Sequence, residues 1–330
     1  MGDRGPDTER PSNFYDSPYL AEYYDLWVDA NKKTLKAQED ASVYLSALER
    51  DLVKGCTRQL SQDNPFTVLD VGTGTGRVLV NLANDAVNAG IDLSNVELIG
   101  VDIEPAMVQR SKDIEKETES MARVGKVTWA LGEAVSLTSV PALQDRLGRV
   151  DALIFAVGSI SHLISPEEPQ LFSSQVATLL TPKSGRAYLT IQNDLIQSRS
   201  ISSPPLNTDI TWLEVNAQDF PSKLHPGIIY KQYPLEKSEI KGQIRTDNYR
   251  FQVVRKADSG DQEVIENNNI TLSLRVWDEA EFVQWAKNAG LHCSEIITGD
   301  IETYYVFKLS DSQDIPPVPR TCVSPATIFS

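Results

Sequence analysis

A glycine-rich turn that follows an apolar segment is the feature with the clearest chemical meaning. Residues 66–71 are mostly apolar, and Gly72, Gly74 and Gly76 follow them at alternate positions. Glycine lets the main chain adopt positive φ and lets a ligand lie against the backbone. Asp70 stands just before the turn, where its negative charge suits a cationic ligand. The alternative is that Asp70 only caps the turn.

The spacing of these glycines excludes two nucleotide-binding patterns. The dinucleotide fingerprint G-x-G-x-x-G fails at its third position, which is Arg77 when read from Gly72 and Leu79 when read from Gly74. The phosphate loop fails because no Gly-Lys-Ser or Gly-Lys-Thr follows at the right distance. A nicotinamide dehydrogenase is therefore disfavoured, and the turn must serve another ligand.

Acidic residues stand at the ends of the next two predicted strands. Asp102 follows the strand predicted at residues 96–101, and Glu133 follows the strand predicted at residues 126–131. A carboxylate at the end of the second strand can accept hydrogen bonds from both hydroxyls of a ribose. The turn and Asp102 together are compatible with a ligand that contains a ribose.

The order of the predicted elements indicates an α/β fold. Apolar strands alternate with helices, which is typical of a parallel sheet with helices on both faces. The predicted strands are residues 66–71, 96–101, 126–131, 150–157 and 186–192, with a last strand at 304–309. The predicted helices are residues 39–52 and 77–89, one opened by Pro105, one starting near Pro166, and residues 277–289, which Gly290 ends.

Residues 200–276 interrupt this alternation. Residues 249–253 and 270–276 alternate between apolar and polar side chains, as half-exposed antiparallel strands do. An antiparallel β insert is therefore predicted after the fifth strand. Its rings and cations, among them Tyr249 and Arg275, suit a lid over an acceptor pocket. A dimerisation sheet is the alternative, and Arg275 can equally belong to the wet face of a strand.

These motifs resemble the class I S-adenosylmethionine-dependent methyltransferases, in particular the branch that acts on small molecules. The turn at residues 70–76 is similar to the first motif of that family, and Asp102 and Glu133 stand where later motifs have acids. Residues 21–26 resemble the opening segment that folds over the cofactor, and residues 277–282 resemble the last helix. The resemblance implies a Rossmann-like domain at residues 14–309, between a disordered N-terminus (1–13) and a flexible C-terminal tail (310–330).

The resemblance implies S-adenosylmethionine as cofactor. The cofactor-binding residues that it implies are Tyr24, Asp70, Gly72, Thr73, Gly74, Gly76, Asp102, Ile103, Glu133, Ala134 and Val157. The candidate acceptor contacts are Tyr23, Ser159, Tyr249 and Arg275. His162 follows the fourth predicted strand and is a candidate general base, because an imidazole titrates near neutral pH. A structural histidine is the alternative, and Tyr23 and Tyr24 can equally be core aromatics.

The implied activity is transfer of a methyl group to oxygen or nitrogen of a small-molecule metabolite. The alternative is a protein that keeps the cofactor pocket without methylating, as a regulatory module or as a catalyst of another reaction, because a fold alone does not decide function. The sulfonium is already a strong electrophile, so positioning the acceptor is expected to matter more than a strong base.

Charge and composition disfavour nucleic acid and membranes as partners and leave a small-molecule acceptor. The formal net charge is −15, which disfavours binding of DNA or RNA over a broad face. No apolar run approaches the roughly 20 residues of a membrane helix, and the N-terminus lacks the pattern of a signal peptide, so a cytoplasmic protein is predicted. The three cysteines show no metal-binding spacing. The sequence leaves monomer and homodimer open.

Overall fold

The computed structural model describes residues 17–31, 37–199, 209–256, 262–310 and 319–322. Within these ranges the α-helices are α1 (Leu20–Asn31), α2 (Ala37–Leu48), α3 (Arg77–Asn88), α4 (Pro105–Glu117), α5 (Glu168–Leu179), α6 (Ile210–Val215) and α7 (Glu279–Asn288). The strands are β1 (Phe66–Val71), β2 (Val96–Asp102), β3 (Lys126–Leu131), β4 (Ala152–Phe155), β5 (Arg186–Gln192), β6 (Gln218–Pro221), β7 (Ile228–Gln232), β8 (Lys237–Lys241), β9 (Ile244–Lys256), β10 (Gln262–Arg275), β11 (Leu291–Thr298), β12 (Glu302–Leu309) and β13 (Arg320–Cys322).

The chain divides into two compact units. We call Lys32–Ser200 with Arg275–Ser330 the core unit, and Met1–Asn31 with Ile201–Leu274 the insert unit. The core unit contains an eight-stranded sheet in the order β13-β11-β12-β5-β4-β1-β2-β3. The insert unit contains a five-stranded sheet in which β10-β9-β7-β6 are neighbours and β8 pairs with β9.

The first five strands of the core sheet are parallel, and their order creates a crevice. β1 pairs in parallel with both β2 and β4, so that Asp70 lies opposite Gly100 on one side and Ile154 on the other. β2 and β3 follow on one side of β1, and β4 and β5 follow on the other. Ligands bind at the carboxyl ends of the strands where the strand order reverses in this way. The predicted Rossmann-like α/β sheet is confirmed, and β1 and β2 are buried along their whole length, as parallel strands covered on both faces are.

Trp129 on β3 shows how the core supports the glycine turn. A Cβ atom on Gly100 would lie 2.4 Å from the Trp129 ring, and one on Gly76 would lie 2.7 Å from it. The indole therefore fills space that both glycines leave open. It packs against β2 on one side and against the end of the turn on the other.

The insert unit is antiparallel, as the alternating pattern predicts. β7 pairs antiparallel with β6 and β9, and β8 pairs antiparallel with the first half of β9. Helix α1 folds with this sheet through the buried Glu22. Its carboxylate accepts hydrogen bonds from the amides of Lys223 and Leu224 and from the hydroxyls of Ser222 and Tyr230. Although desolvation raises the pKa of Glu22, these bonds outweigh it and leave the pKa below its ordinary value.

Several predicted boundaries differ from the structure. β4 ends at Phe155, two residues early, because Val157 adopts positive φ. β11 was not predicted, and it pairs antiparallel with β12. The predicted flexible tail contains a strand, since Arg320–Cys322 pairs in parallel with β11. The predicted helix at residues 39–52 is α-helical only to Leu48 and continues as a π-helix. The predicted disordered residues 1–13 lie outside the described residues.

Candidate active site at the carboxyl edge of the core sheet

The glycine turn has the backbone that its composition predicts. Gly72, Gly74 and Gly76 have φ of +63°, +57° and +84°. Side chains are disfavoured in this region, and a Cβ on Gly72 would also lie 3.1 Å from the Phe155 ring. The Thr73 amide donates to the Val101 carbonyl at 3.0 Å, which ties the turn to β2. The turn thus offers main-chain groups to a ligand at the crevice.

Asp102 joins this turn to the end of β2. One carboxylate oxygen accepts a hydrogen bond from the Gly74 amide at 2.7 Å, and the other accepts one from the Glu104 amide at 2.9 Å. Desolvation raises the pKa of the carboxyl, against the lowering effect of these bonds. A carboxylate can accept about four hydrogen bonds. The pKa of Asp102 is also lowered by a hydrogen bond from the Ile103 amide, so the carboxylate keeps acceptor capacity for about one hydroxyl group.

Asp70 is a buried acid, and only one of its two carboxylate oxygens accepts a hydrogen bond from the described residues. The Thr73 hydroxyl donates to Oδ2 at 2.7 Å, whereas Oδ1 is buried and has no hydrogen-bond partner among the described residues. Burial raises the pKa of Asp70 to about 7. Buried polar atoms are nearly always paired, so an unpartnered carboxylate oxygen calls for a missing group. A cation beside Asp70 would stabilise its ionised form.

The ends of β2 and β3 supply the remaining predicted cofactor contacts. Ile103 follows Asp102 and is 59% exposed, although it is apolar. Glu133 is exposed and Ala134 is half-buried. The Gly132 amide donates to the Asp102 carbonyl at 3.0 Å, which brings the end of β3 to the end of β2. An exposed apolar residue beside a polar one suits the flat base of a nucleoside.

The exit of β4 is strained in a way that the sequence did not reveal. Val157 has φ of +54° and Gly158 has φ of +64°. Positive φ is rare for a β-branched residue, and such outliers cluster at functional sites. The Thr190 hydroxyl accepts a hydrogen bond from the Gly158 amide at 2.8 Å and holds the turn against β5.

Two predicted residues follow this turn, and one of them, Ser159, lies next to the glycine turn. The Cβ of Ser159 would lie 3.6 Å from a Cβ on Gly72. His162 ends the short 3-10 helix Ser159–His162 and is exposed. Desolvation by the surrounding protein nevertheless lowers the pKa of His162 below its ordinary value. At neutral pH the imidazole is therefore neutral and able to accept a proton.

Three predicted residues belong to the insert unit. Tyr23 is buried, packs against Phe220 and Phe251, and donates to the Gln232 side chain at 2.7 Å. This is the packing role that the sequence left open for it. Tyr24 is half-buried and stacks on Trp27, and Tyr249 is half-buried on β9. An acceptor or cofactor role for these tyrosines stays a prediction.

The predicted role of Arg275 needs correction. The side chain is 4% exposed, so it belongs neither to the wet face of a strand nor to a surface open to an acceptor. Its guanidinium donates hydrogen bonds to the main-chain carbonyls of residues 163, 164 and 165. Arg275 therefore holds the loop that follows His162.

Two residues near the site escaped the sequence analysis. Ser111 on α4 lies within 3.0 Å of the Gly74 carbonyl, to which its hydroxyl can donate. Thr190 supports the exit of β4. Ser111 falls on the buried face of its helix, so its helical spacing was a signal, whereas Thr190 is one more residue of a buried strand. Among the described residues, no group of His, Cys, Asp and Glu has the arrangement of a metal site, and none of their helices has the length and apolarity needed to span a membrane.

Known proteins resemble this chain in sequence and in fold. A family profile described as a methyltransferase domain matches residues 62–185. The N-methyltransferase FrzE of Cladobotryum sp is 33% identical over 277 residues, which cover 82% of this chain and 88% of FrzE.

Solved structures with the same fold include an S-adenosylmethionine-dependent methyltransferase from Clostridium acetobutylicum, with a TM-score of 0.57 and 13% identity. That match covers 88% of this chain and 100% of the other. CalS10 of Micromonospora echinaspora, an amino pentose methyltransferase solved with its cofactor, has a TM-score of 0.54 and 15% identity over 91% of this chain and 99% of its own.

Proposed function

Because this chain belongs to the S-adenosylmethionine-dependent methyltransferases, we propose that it methylates a nitrogen atom of a small-molecule amine. The chain is an enzyme of this family, and S-adenosylmethionine is its cofactor. The observation that carries the choice of nitrogen is the 33% identity to the N-methyltransferase FrzE over most of both chains. The amino pentose methyltransferase CalS10, which has the same fold, agrees with an acceptor of small size.

The residues at the crevice fit this cofactor. Gly72 is exposed and Gly74 is half-buried, so the main chain there can meet its amino acid end, and the unpartnered oxygen of Asp70 lies at a place suited to its positive charge. Asp102 has acceptor capacity for a ribose hydroxyl, and the exposed Ile103 suits the adenine. When bound, the cofactor supplies a methyl group on a sulfonium, which the acceptor nitrogen takes as the carbon–sulfur bond breaks.

The contribution of the chain is to orient the acceptor and to receive a proton. Alignment of two reacting groups can contribute about 7–11 kcal/mol to lowering a barrier, and a general base contributes about 10²–10⁴-fold. An amine attacks only as the neutral base, and the methylated nitrogen must lose a proton if it is to end neutral. Desolvation lowers the pKa of His162, which favours the neutral imidazole, and His162 ends the 3-10 helix that begins at Ser159, the residue beside Gly72. We infer that it accepts this proton.

The test uses methyl-labelled S-adenosylmethionine and two matched panels of small molecules, amines and the corresponding alcohols. Mass spectrometry of the products locates the label, and the S-adenosylhomocysteine formed counts the turnovers. The expected result is label on nitrogen. Asp102→Ala should lose this labelling, and the exposed control Asp113→Ala should keep it. Label on oxygen alone would contradict the choice of nitrogen. Tight cofactor binding without formation of S-adenosylhomocysteine across a metabolite extract would indicate a protein that does not methylate.

A further inference from the structure

A buried arginine holds the loop that follows His162. The Arg275 guanidinium reaches the loop with both Nε and Nη2, the two donor nitrogens of one edge of its planar group. The accepting carbonyls and their distances are Leu163 (2.8 Å), Ile164 (2.7 Å) and Ser165 (3.1 Å). These carbonyls follow the 3-10 helix Ser159–His162.

A tryptophan two residues further on holds the other side of His162. The Trp277 indole Nε1 donates to the Ser161 hydroxyl at 3.0 Å. The main chain of Trp277 is itself fixed to the segment after β5: its amide donates to the Leu195 carbonyl at 2.7 Å, and its carbonyl accepts from the Gln197 amide at 2.9 Å. His162 is thus flanked on both sides by residues that one anchored segment holds in place.

The surroundings of Arg275 favour arginine over lysine. Its guanidinium carbon lies 5.7 Å from the Trp277 ring centroid and 5.5 Å from that of Trp285, within range of cation–π attraction. The planar fork can donate from the two nitrogens of one edge to successive carbonyls, whereas an ammonium is a single point of donation. Lysine would keep the charge and lose the fork.

We propose that Arg275 and Trp277 are positioning residues for methyl transfer. Trp277 holds the Ser161 side chain before His162, and Arg275 holds the main-chain carbonyls after it, so that together they fix where the imidazole can take the proton of the acceptor nitrogen. The inference rests on the proposed function and adds to it the device that orients the proton acceptor. A displacement of about 1 Å at a reacting group can cost about 10²-fold in rate, so loosening this loop should act on turnover and leave cofactor affinity alone.

The first arm of the test needs no acceptor. The chain has three histidines, so their imidazole signals can be assigned and titrated by NMR in the wild type, in Arg275→Lys and in the exposed control Arg123→Lys. The pKa of His162 should shift in Arg275→Lys alone, and the amides of residues 161–165 should exchange with solvent about tenfold faster or more. An unchanged His162 titration with unchanged exchange would overturn the proposal.

The second arm measures kinetics with the amine identified above. Arg275→Lys should lower kcat by about tenfold or more while the Kd of the cofactor stays within about twofold of wild type. The double variant with His162→Ala should be no slower than His162→Ala alone, because a residue that acts through His162 has nothing left to orient. Losses that multiply would show that Arg275 acts independently, which contradicts the proposal.

A fallback keeps both arms usable. If Arg275→Lys does not fold, Ser161→Ala removes the Trp277 bond from the other side of His162 and should give the same pattern with a smaller loss. If the wild type methylates no amine, the proposed function fails, while the NMR arm still decides whether Arg275 sets the state of His162.

Discussion

The Asp102 carboxylate accepts a hydrogen bond from the Gly74 amide at 2.7 Å. This bond joins the end of β2 to the turn after β1, so these two segments are held as one piece. Its other oxygen accepts from the Glu104 amide at 2.9 Å. The group that suits the ribose therefore also shapes the turn that suits the amino acid end of the cofactor.

Cofactor binding should release a proton from Asp70. Burial raises the pKa of Asp70 from 3.8 to about 7, and a cationic ligand favours the ionised form, so binding near pH 6–7 should expel the proton. Affinity should then rise with pH up to about 7, by at most about tenfold per unit. Calorimetry in buffers of different ionisation enthalpy measures the released proton. Asp70→Asn is the control, and equal proton release in both proteins would contradict the assignment.

The same group should make the ligand-free protein less stable as the pH rises. Between pH 3.8 and about 7 the folded state keeps a proton on Asp70 that the unfolded chain has lost, so this contribution to the free energy of unfolding decreases with pH. Urea unfolding at pH 5 and at pH 8 should show a smaller loss for Asp70→Asn than for wild type. An identical pH dependence of the two proteins would argue against the raised pKa.

Gly76→Ala should destabilise the protein more than Gly90→Ala. Both glycines have positive φ, +84° and +73°, so each alanine carries strain of about 1–2 kcal/mol. A Cβ on Gly76 would also lie 2.7 Å from the Trp129 ring, whereas a Cβ on Gly90 would have no atom within 4 Å. Overpacking typically adds about 1–3 kcal/mol. Equal losses in urea unfolding would show that the indole gives way without cost.

Val157→Gly should lower the free energy of unfolding less than is usual for a valine that packs against the core. The strain of positive φ, about 1–2 kcal/mol, disappears in glycine and offsets the lost contacts. Val127 is the matched control, because it packs half-buried against the same core cluster from within β3. Val127→Gly has no strain to relieve and should lower the free energy of unfolding by at least about 1 kcal/mol more. The reverse order would contradict the strain at the exit of β4.

His162→Ala should lower turnover by about 10²-fold or more. In the wild type, turnover should fall on acidification only below the ordinary histidine pKa, because desolvation lowers the pKa of His162 and protonation removes the base. This acid limb should vanish in His162→Ala and persist in His292→Ala. Full activity of His162→Ala with a normal pH profile would return His162 to a structural role.

The sequence predicted β1, β2 and β3 to within one residue of their bounds, because each of these apolar runs ends in glycine or an acid. It failed where the regular period breaks. β11 has a register shift between Cys293 and Glu295, so its side chains do not alternate cleanly, and the three residues of β13 are all exposed. Such irregular or very short strands form because a neighbouring strand pairs with them, which no local pattern records.

The acceptor side was harder to read than the cofactor side, for a physical reason. Arg275 alternates with apolar neighbours as a surface residue would, yet its partners are main-chain carbonyls about 110 positions away. Main-chain acceptors leave no trace in side-chain spacing. For Tyr23, the distant contact with Gln232 is likewise invisible in the sequence. The predicted lid role of residues 200–276 stays a prediction.

The most direct test of the central claim is the affinity of Asp102→Ala for S-adenosylmethionine, measured by calorimetry beside wild type and the exposed control Asp113→Ala. A hydrogen bond to a charged acceptor is worth about 1.5–3 kcal/mol, so the loss of one such bond weakens binding by about tenfold or more. We predict that Asp102→Ala remains folded and loses at least this factor, and that Asp113→Ala binds as wild type does. Unchanged affinity in a folded Asp102→Ala would contradict the placement of the cofactor at the carboxyl edge of the core sheet.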